Sequence, residues 1–368
     1  MKIISSLSKK DLSGKKVLAR VDFNVPIRNG KVVESMRIDE ALPTIKFLLK
    51  NGAQVILVSH LGGDGQSSLR PVAKYLAGLK FKIKFIDDLE SIAKTKEPLV
   101  LFENIRRLAG EQENDSALAK KLTDLADLYV NEAFSVCHRQ HASVVGVPKF
   151  LPSYAGLRLA KEIAELKKID KPVSPLAIIL GGAKFKTKFP LLKKFLPKVE
   201  VMCVGGALAN TLIKARGQEV GVSLVDEITP EIKKLAHDKK IILPIDFVVV
   251  GRQKSELVVK KVDELSAKDK IVDLGPRTAK LFGEKISDAK TILWNGPLGL
   301  VEEGFIHGTI AMARSLPKGT FSVLGGGDSV EALRQAKLLK KPSFVSTGGG
   351  AMLEFLVTGS LPGIKALS

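Results

Sequence analysis

Short apolar runs recur along this chain, each followed by polar or glycine-rich residues, and few folds accommodate that alternation. In the first part the runs are Val17-Leu18-Ala19, Val55-Ile56-Leu57-Val58, Leu99-Val100-Leu101-Phe102 and Leu128-Tyr129-Val130. In the second they are residues 176–180, Val201-Met202-Cys203-Val204, Ile241-Ile242-Leu243, Thr291-Ile292-Leu293-Trp294, Phe321-Ser322-Val323-Leu324 and Phe344-Val345. Helical spacing lies between several of them, as in Leu42, Ile45, Leu48 and Leu49, or Leu118, Leu122 and Leu125. Continuous apolar strands alternating with helices mean parallel sheets covered on both faces, so the pattern predicts an α/β architecture. The 368 residues exceed one comfortable hydrophobic core, which makes two such domains the expectation.

Between the halves, Leu159, Ile163 and Leu166 form one stripe while Lys161, Glu162, Glu165, Lys167 and Lys168 occupy the other face. This is a linking helix, ended by Pro172 and Pro175, neither of which can continue it. A hinge is expected just beyond it.

Ligands of open parallel sheets bind beyond the carboxyl ends of the strands, so the residues after each run carry the functional signal. In the first half these positions present Asp22, Asn24, His60, Arg106 and Arg139, with Arg37 at the start of the following helix. Arginine and imidazolium in a ring suit a small substrate bearing phosphate and carboxylate, and Asp or Asn orients a hydroxyl. In the second half the corresponding positions are residues 181–188, 205–207, 295–299, 325–329 and 346–350, rich in glycine. Glycine lets a flat base and a polyphosphate approach the backbone closely. The segment Gly181-Gly182-Ala183-Lys184-Phe185-Lys186-Thr187-Lys188 fits a phosphate cradle ahead of a helix opening near Phe189, although a turn before a solvated basic helix reads equally well from these residues alone. Asp328 among glycines is a reasonable Mg2+ ligand when phosphates supply the other oxygens, or else a turn-forming aspartate.

Charge and composition narrow the classes. Lys and Arg number 58 against 39 Asp and Glu, a net +19, but aromatic residues make up only 5%, poor material for stacking bases. The charge reads as solvated surface plus a local anion site, with no nucleic-acid partner expected. No apolar run approaches the roughly 18 residues of a membrane span, and no signal-peptide core opens the chain, so a soluble cytoplasmic protein is expected. Cys137 and Cys203 lie far apart without a paired spacing, which argues for reduced thiols. Cys137, His138 and His141 lack the further ligands a zinc site needs. Trp294 reads as packing, and His237 and His307 as surface residues.

Nine blocks stand in order across nearly the whole chain: RVDFNVP (20–26), Arg37 with ALPTIKFLL (41–49), SHLG (59–62), ENIR (103–106), NEAF with HRQHAS (131–143), LGGAK (180–184), WNGP (294–297), LGGGDS (324–329) and STGGGAMLE (346–354). Together, in order and spacing, they resemble the phosphoglycerate kinase family. The resemblance implies two Rossmann-like three-layer (αβα) domains: residues 1–153 for 3-phosphoglycerate, a linking helix and hinge at 154–172, and residues 173–345 for nucleotide. Residues 346–368 would pack back toward the first domain. It implies reversible phosphoryl transfer between 1,3-bisphosphoglycerate with MgADP and 3-phosphoglycerate with MgATP, in a monomer that closes about its hinge. By position, Asp22, Asn24, Arg37, His60, Arg106 and Arg139 would bind 3-phosphoglycerate. Gly182, Lys184, Lys188, Gly206, Asn295, Pro297, Glu302, Gly327, Asp328 and Ser329 would bind nucleotide, with Glu302 on the ribose and Asp328 on magnesium. Arg37, Lys188 and the backbone at Gly348 and Gly349 would stabilise the moving phosphoryl group.

The chain departs from that pattern at several points. Gly63 stands where an arginine is usual and the loop after it is short. Arg107 replaces an aromatic residue and could offset the lost charge. Ser135-Val136-Cys137 replaces a Gly-Thr-Ala type turn, and Lys186-Thr187 replace a small residue and an aspartate. The last pair motivates an alternative, a degenerate paralogue that binds nucleotide without turnover. A basic nucleic-acid-binding protein, betrayed by salt-sensitive binding, is the other.

Overall fold

The structure, a computed structural model, describes residues 1–250 and 256–368. The chain divides into two compact units, Met1–Ala164 with Thr358–Ser368, and Glu165–Val357.

Unit 1 is built on a six-stranded parallel sheet in the order β5-β6-β4-β1-β7-β8. Its strands are β1 (Lys16–Arg20), β4 (Gln54–Val58), β5 (Ile83–Ile86), β6 (Leu99–Phe102), β7 (Leu128–Asn131) and β8 (Ser153–Ala155), and a two-stranded hairpin of β2 (Ile27–Arg28) and β3 (Lys31–Val32) follows β1. The helices are α1 (Lys9–Leu12), α2 (Met36–Lys50), α3 (Arg70–Gly78), α4 (Leu89–Lys94), α5 (Ser116–Thr123), the first half of α6 (Leu157–Asp170) and α14 (Pro362–Lys365). Val17, Leu18, Val55, Ile56, Leu57, Leu101 and Val130 are all buried, as two-sided cover requires. Each such side chain contributes about 1.5–3 kcal/mol on leaving water. The chain's last residues join this unit, where Gly363 N–H donates to the Cys137 carbonyl at 2.8 Å.

Unit 2 repeats the plan with the order β11-β10-β9-β15-β16-β17, all parallel. These strands are β9 (Leu176–Leu180), β10 (Val201–Val204), β11 (Ile241–Ile242), β15 (Thr291–Asn295), β16 (Phe321–Gly325) and β17 (Phe344–Val345). Around them lie α7 (Phe185–Phe195), α8 (Gly206–Ala215), α9 (Pro230–Ala236), α10 (Pro276–Lys285), α11 (His307–Arg314), α12 (Gly327–Gln335) and α13 (Gly350–Thr358).

Every predicted strand is present, and the differences have local causes. An antiparallel sheet of β12 (Asp246–Val250), β13 (Leu257–Lys261) and β14 (Lys270–Leu274), in the order β13-β12-β14, was not expected beside parallel sheets. β13 alternates exposed and half-buried residues, so it lacks the continuous apolar run by which the other strands announce themselves. β8 is only three residues long, and β5, with the pattern Ile-Lys-Phe-Ile, is an edge strand. α7 begins at Phe185 rather than near Phe189, because Asp226 accepts the Phe185 N–H at 2.7 Å and caps the helix earlier than the local sequence indicates.

The start of α6 is fastened from beneath. Glu132, just past β7, is buried and accepts the Thr44 hydroxyl at 2.6 Å and the N–H groups of Arg158 (3.0 Å) and Leu159 (3.4 Å). A carboxylate at a helix N-terminus is favourable, but burial raises this one to about 7, and its hydrogen bonds oppose that only in part. Between the ordinary value of 4.5 and about 7 the folded chain therefore holds the proton more tightly than the unfolded chain. The resulting stabilisation is present at low pH and lost as pH rises through about 7. Relative to Glu132→Gln, the wild-type unfolding free energy should fall by roughly 3 kcal/mol between about pH 5 and about pH 8. A pH-independent difference in denaturant melts would refute this.

Candidate functional site

In unit 1 the strand register brings the predicted residues to one edge. Arg20, the last residue of β1, pairs with Val58 of β4 on one side and Asn131 of β7 on the other. The segments leaving these three strands carry Asp22 and Asn24, His60, and Ser135 respectively. Arg37, in the first turn of α2, donates to Asp22 Oδ2 at 2.9 Å and to the Asn24 carbonyl at 3.3 Å. Ser135 Oγ donates to the same Asp22 oxygen. Burial works against a charge on Asp22, but Arg37 and these donors outweigh it and hold the carboxyl below its ordinary value. Asn24 Oδ1 accepts the Gly62 N–H at 3.0 Å, so its side chain is already engaged in shaping the loop after β4.

Arg106 is buried, on a short turn (Ile105–Arg107) that follows β6. Its Nη1 donates to the Gly62 carbonyl, while Nε and Nη2 have no hydrogen-bond partner. Burial and the neighbouring Arg139 and Arg20 push it down to about 10. Unmet buried donors of this kind cost free energy until something accepts their hydrogen bonds.

His60 departs from the expectation. Its ring is buried, and burial together with Arg20 depresses it to about 2, so it is a neutral imidazole rather than an imidazolium. The positive charge of the rim belongs to the arginines, and Arg139 lies exposed at its edge with Nε 3.4 Å from His138 Nε2.

Arg20 itself was overlooked in the sequence, although a cation closing an apolar strand is a signal in its own right. It is 1% exposed, donating to the Val21 carbonyl and, at 2.9 Å, to Ser143 Oγ, with Nη2 3.3 Å from His60 Nδ1. Ser143 Oγ in turn donates to the buried Glu111 at 2.6 Å. Burial raises Glu111, and Arg20 and Ser143 pull the other way. His141 stands 3.7 Å from the same carboxylate and is depressed to about 4 by burial and the arginines. Among the described residues there is no group of three or more His, Cys, Asp or Glu side chains placed to hold a metal ion.

Unit 2 has its own edge. Leu180 of β9 pairs with Val204 of β10 and Asn295 of β15, and Asn295 pairs with Gly325 of β16. The glycine segments after these strands converge accordingly, with Gly182 N–H donating to the Pro297 carbonyl at 2.7 Å. Gly296 has no room for a side chain: φ is +93°, and a Cβ there would lie 2.3 Å from the Gly181 carbonyl oxygen, a backbone atom that cannot swing away. Trp294 is buried packing, as expected, and its Nε1 donates to the Gly296 carbonyl at 3.0 Å.

Lys188 sits in the first turn of α7, and helical side chains lean toward the N-terminus. Its ammonium therefore reaches back to the Gly181 carbonyl and, at 3.2 Å, the Asn295 carbonyl. Burial lowers it to about 8, with Asp328 acting in the opposite sense. Lys184 is exposed at the helix start. Lys186 and Thr187 are exposed too, and Thr187 Oγ1 donates to the Lys184 carbonyl at 2.9 Å, so this departure leaves α7 intact.

Gly327, Asp328 and Ser329 form the first turn of α12, where backbone N–H groups and the helix dipole favour an anion. Ser329 Oγ is buried without a partner there. A cavity of about 300 Å3 opens beside them, lined by Gly182, Gly206, Leu298, Glu302 and Asp328 among others. Asp273, which the sequence reading missed inside the apolar run of β14, also lines it and accepts the Gly308 N–H at 3.0 Å. Gly348 N–H already donates to Ser346 Oγ at 3.1 Å, leaving Gly349 and Gly350 as the freer amides of that segment.

Known proteins match this chain along its length. The phosphoglycerate kinase family profile covers residues 7–359. Phosphoglycerate kinase of Dictyoglomus turgidum is 44% identical over 100% of this chain and 98% of its own. The structure of phosphoglycerate kinase from Coxiella burnetii superposes with a TM-score of 0.84 at 37% identity, covering 99% of this chain and 98% of that one. The crystal structure of the enzyme from Pyrococcus horikoshii OT3 gives 0.88 at 29% identity, covering 100% and 98%.

The neutral state of His60 is open to direct measurement. Its folded value lies far below the ordinary 6.5, so its contribution to stability fades as pH drops below about 6.5. In 15N NMR of the free protein, the His60 ring should remain neutral at about pH 5, and an imidazolium signal emerging near pH 6.5 would contradict the geometry described.

Proposed function

The chain belongs to the phosphoglycerate kinase family and is a glycolytic kinase; from that premise we propose which residues perform the transfer and how. The edge of unit 1 binds 3-phosphoglycerate and the edge of unit 2 binds MgATP. The observation that carries the first assignment is Arg106, buried with two idle donors beside Arg20 and Arg139. A phosphate monoester satisfies such donors with charge-assisted bonds. Asp22, held ionised by Arg37, accepts from the substrate's hydroxyl, and Asn24 and His60 complete the wall.

For the second assignment, the cavity beside Gly206 and Leu298 takes the base, and Glu302 at its rim takes the ribose. The phosphates lie along Gly182, Lys184 and the α12 turn with Ser329, whose buried hydroxyl lacks a partner. Asn295 and Pro297 shape the floor. Asp328 is exposed in that turn and is the carboxylate that would hold magnesium, which would arrive with the nucleotide phosphates and neutralise their charge. The donor set fits a metal that arrives with its nucleotide, because the described residues offer no cluster able to hold one alone.

The reaction needs no base. The 3-phosphoglycerate carboxylate, already ionised, attacks the γ-phosphorus; a carboxyl-oxygen–phosphorus bond forms, the bridging bond breaks and ADP leaves with that electron pair. What accelerates it is alignment and positive charge on the moving group. Arg37 supplies charge from the acid side. Lys188 supplies it from the nucleotide side once its ammonium exchanges the Gly181 carbonyl for phosphate, assisted by the amide of Gly349 and, once it releases Ser346 Oγ, by that of Gly348. Because two units hold the two substrates, we propose hinge closure, with the linking helix α6 and the residues before α13 as its pivots. Among the described residues no helix is long and apolar enough to cross a membrane, and we propose a cytoplasmic monomer.

A coupled assay with 3-phosphoglycerate and MgATP tests the whole reading: turnover is expected, and nucleotide binding without turnover would favour a degenerate paralogue instead. Arg37→Ala should lower turnover by about a hundredfold or more, leaving nucleotide affinity nearly unchanged. Equal loss of both would place Arg37 in the wrong site.

A further inference from the structure

We propose that Arg107 is a positioning residue for the acid site: it staples the loop after β4 to the end of β6 and so holds Arg106 in place, without itself carrying the substrate's charge. This rests on the assignment of the unit 1 edge to 3-phosphoglycerate.

The two consecutive arginines do different work. Arg106 turns inward and keeps Nε and Nη2 unpartnered. Arg107 has every nitrogen engaged. Its Nε donates to the Gly65 carbonyl at 3.2 Å, its Nη2 to the Gln66 carbonyl at 3.1 Å, and its Nη1 lies 3.0 Å from Glu103 Oε2. Three of the five N–H donors of this guanidinium are thus taken by the loop and by Glu103, and its charge is paired with that carboxylate, so its geometry fits a tie within the loop better than a contribution of free charge to the rim.

What it holds is a loop that bears directly on two site residues. Gly65 has φ +79°, and a Cβ there would stand 2.5 Å from the Arg106 carbonyl oxygen, so the loop backbone presses on the turn carrying Arg106. The Gly62 carbonyl receives Arg106 Nη1, and the Gly62 N–H fixes Asn24 Oδ1 at 3.0 Å. The far end of the loop is tied by the same carboxylate that Arg107 grips: Glu103 accepts the Ser68 hydroxyl at 2.6 Å and the Leu69 N–H at 2.8 Å. Two flexible glycines and a third at Gly63 would leave this segment many conformations without such ties. The side chain of Arg107 is 42% exposed, so its charge is screened and its effect must come through the geometry of the fork.

Arg107→Lys and Arg107→Met in the full chain separate these roles. Lysine keeps the charge but cannot span Glu103 and two carbonyls at once. Both variants should raise KM for 3-phosphoglycerate about tenfold, leave KM for MgATP within about twofold, and speed hydrogen–deuterium exchange across residues 62–67. Unchanged protection of β1 and β4 controls for folding. Wild-type behaviour of the lysine variant would show that charge, not the fork, matters; a silent methionine variant would show that there is no staple. Either overturns the proposal. Should the wild type show no turnover, the assignment of the site falls, and exchange alone still decides the staple.

Discussion

Parallel pairing in register is the constraint from which both sites follow. When β1, β4 and β7 run in the same direction with Arg20 level with Val58 and Asn131, the chain must leave all three strands at one edge. Side chains separated by 113 residues, Asp22 and Ser135, then meet within a hydrogen bond. The same rule operates in unit 2, where Leu180, Val204, Asn295 and Gly325 end side by side and four glycine segments crowd together. Neither site has a dedicated structural element. Each is what remains when helices cover both faces of a sheet and only the edge is left for chemistry.

This is also why so much was legible in the sequence. Buried parallel strands are continuous apolar runs, so their positions, and hence the residues just past them, can be found locally. Asp22, Asn24, His60, Arg106, Asn295 and Asp328 all lie one to a few residues beyond such a run. The antiparallel sheet escaped in part because one face of β13 meets water and its run is broken, although β12 carries the apolar run Phe247-Val248-Val249-Val250 and was overlooked all the same. Other features escaped because they depend on partners distant in the chain. Nothing near Phe185 announces that Asp226 will cap its helix, and nothing near Arg107 announces that its donors are claimed by a loop 42 residues earlier. Lys188 stands out in the sequence as a candidate site lysine, but its tie to the Gly181 and Asn295 carbonyls depends on the meeting of β9 and β15.

The charge state of the acid site was illegible for a different reason. A residue type states what it can carry; only its surroundings decide what it does carry. Three arginines near one another disfavour a further cation, and burial adds to that, so His60 and His141 are neutral where isolated histidines in water would be partly charged. The two buried carboxylates are divided unequally. Asp22 has Arg37 at 2.9 Å and remains ionised, whereas Glu111 meets Arg20 only through Ser143 and is raised by burial.

These shifts have no proton to move in the reaction, since the attacking oxygen is already a carboxylate, so their consequence must lie in binding and folding. Removing Arg37 would leave Asp22 charged and buried, a cost of about 3–5 kcal/mol for a pair of this kind. The free site is therefore folded in a state of partial compensation: neutral imidazoles limit the repulsion, Asp22 and Glu111 offset part of the rest, and Arg106 keeps two donors idle. In the proposed reading, an arriving phosphate would supply the missing negative charge and the missing acceptors together. Each arginine that repels its neighbours in the empty protein would then attract the same ligand, which would give the cost of assembling the site and its affinity one origin.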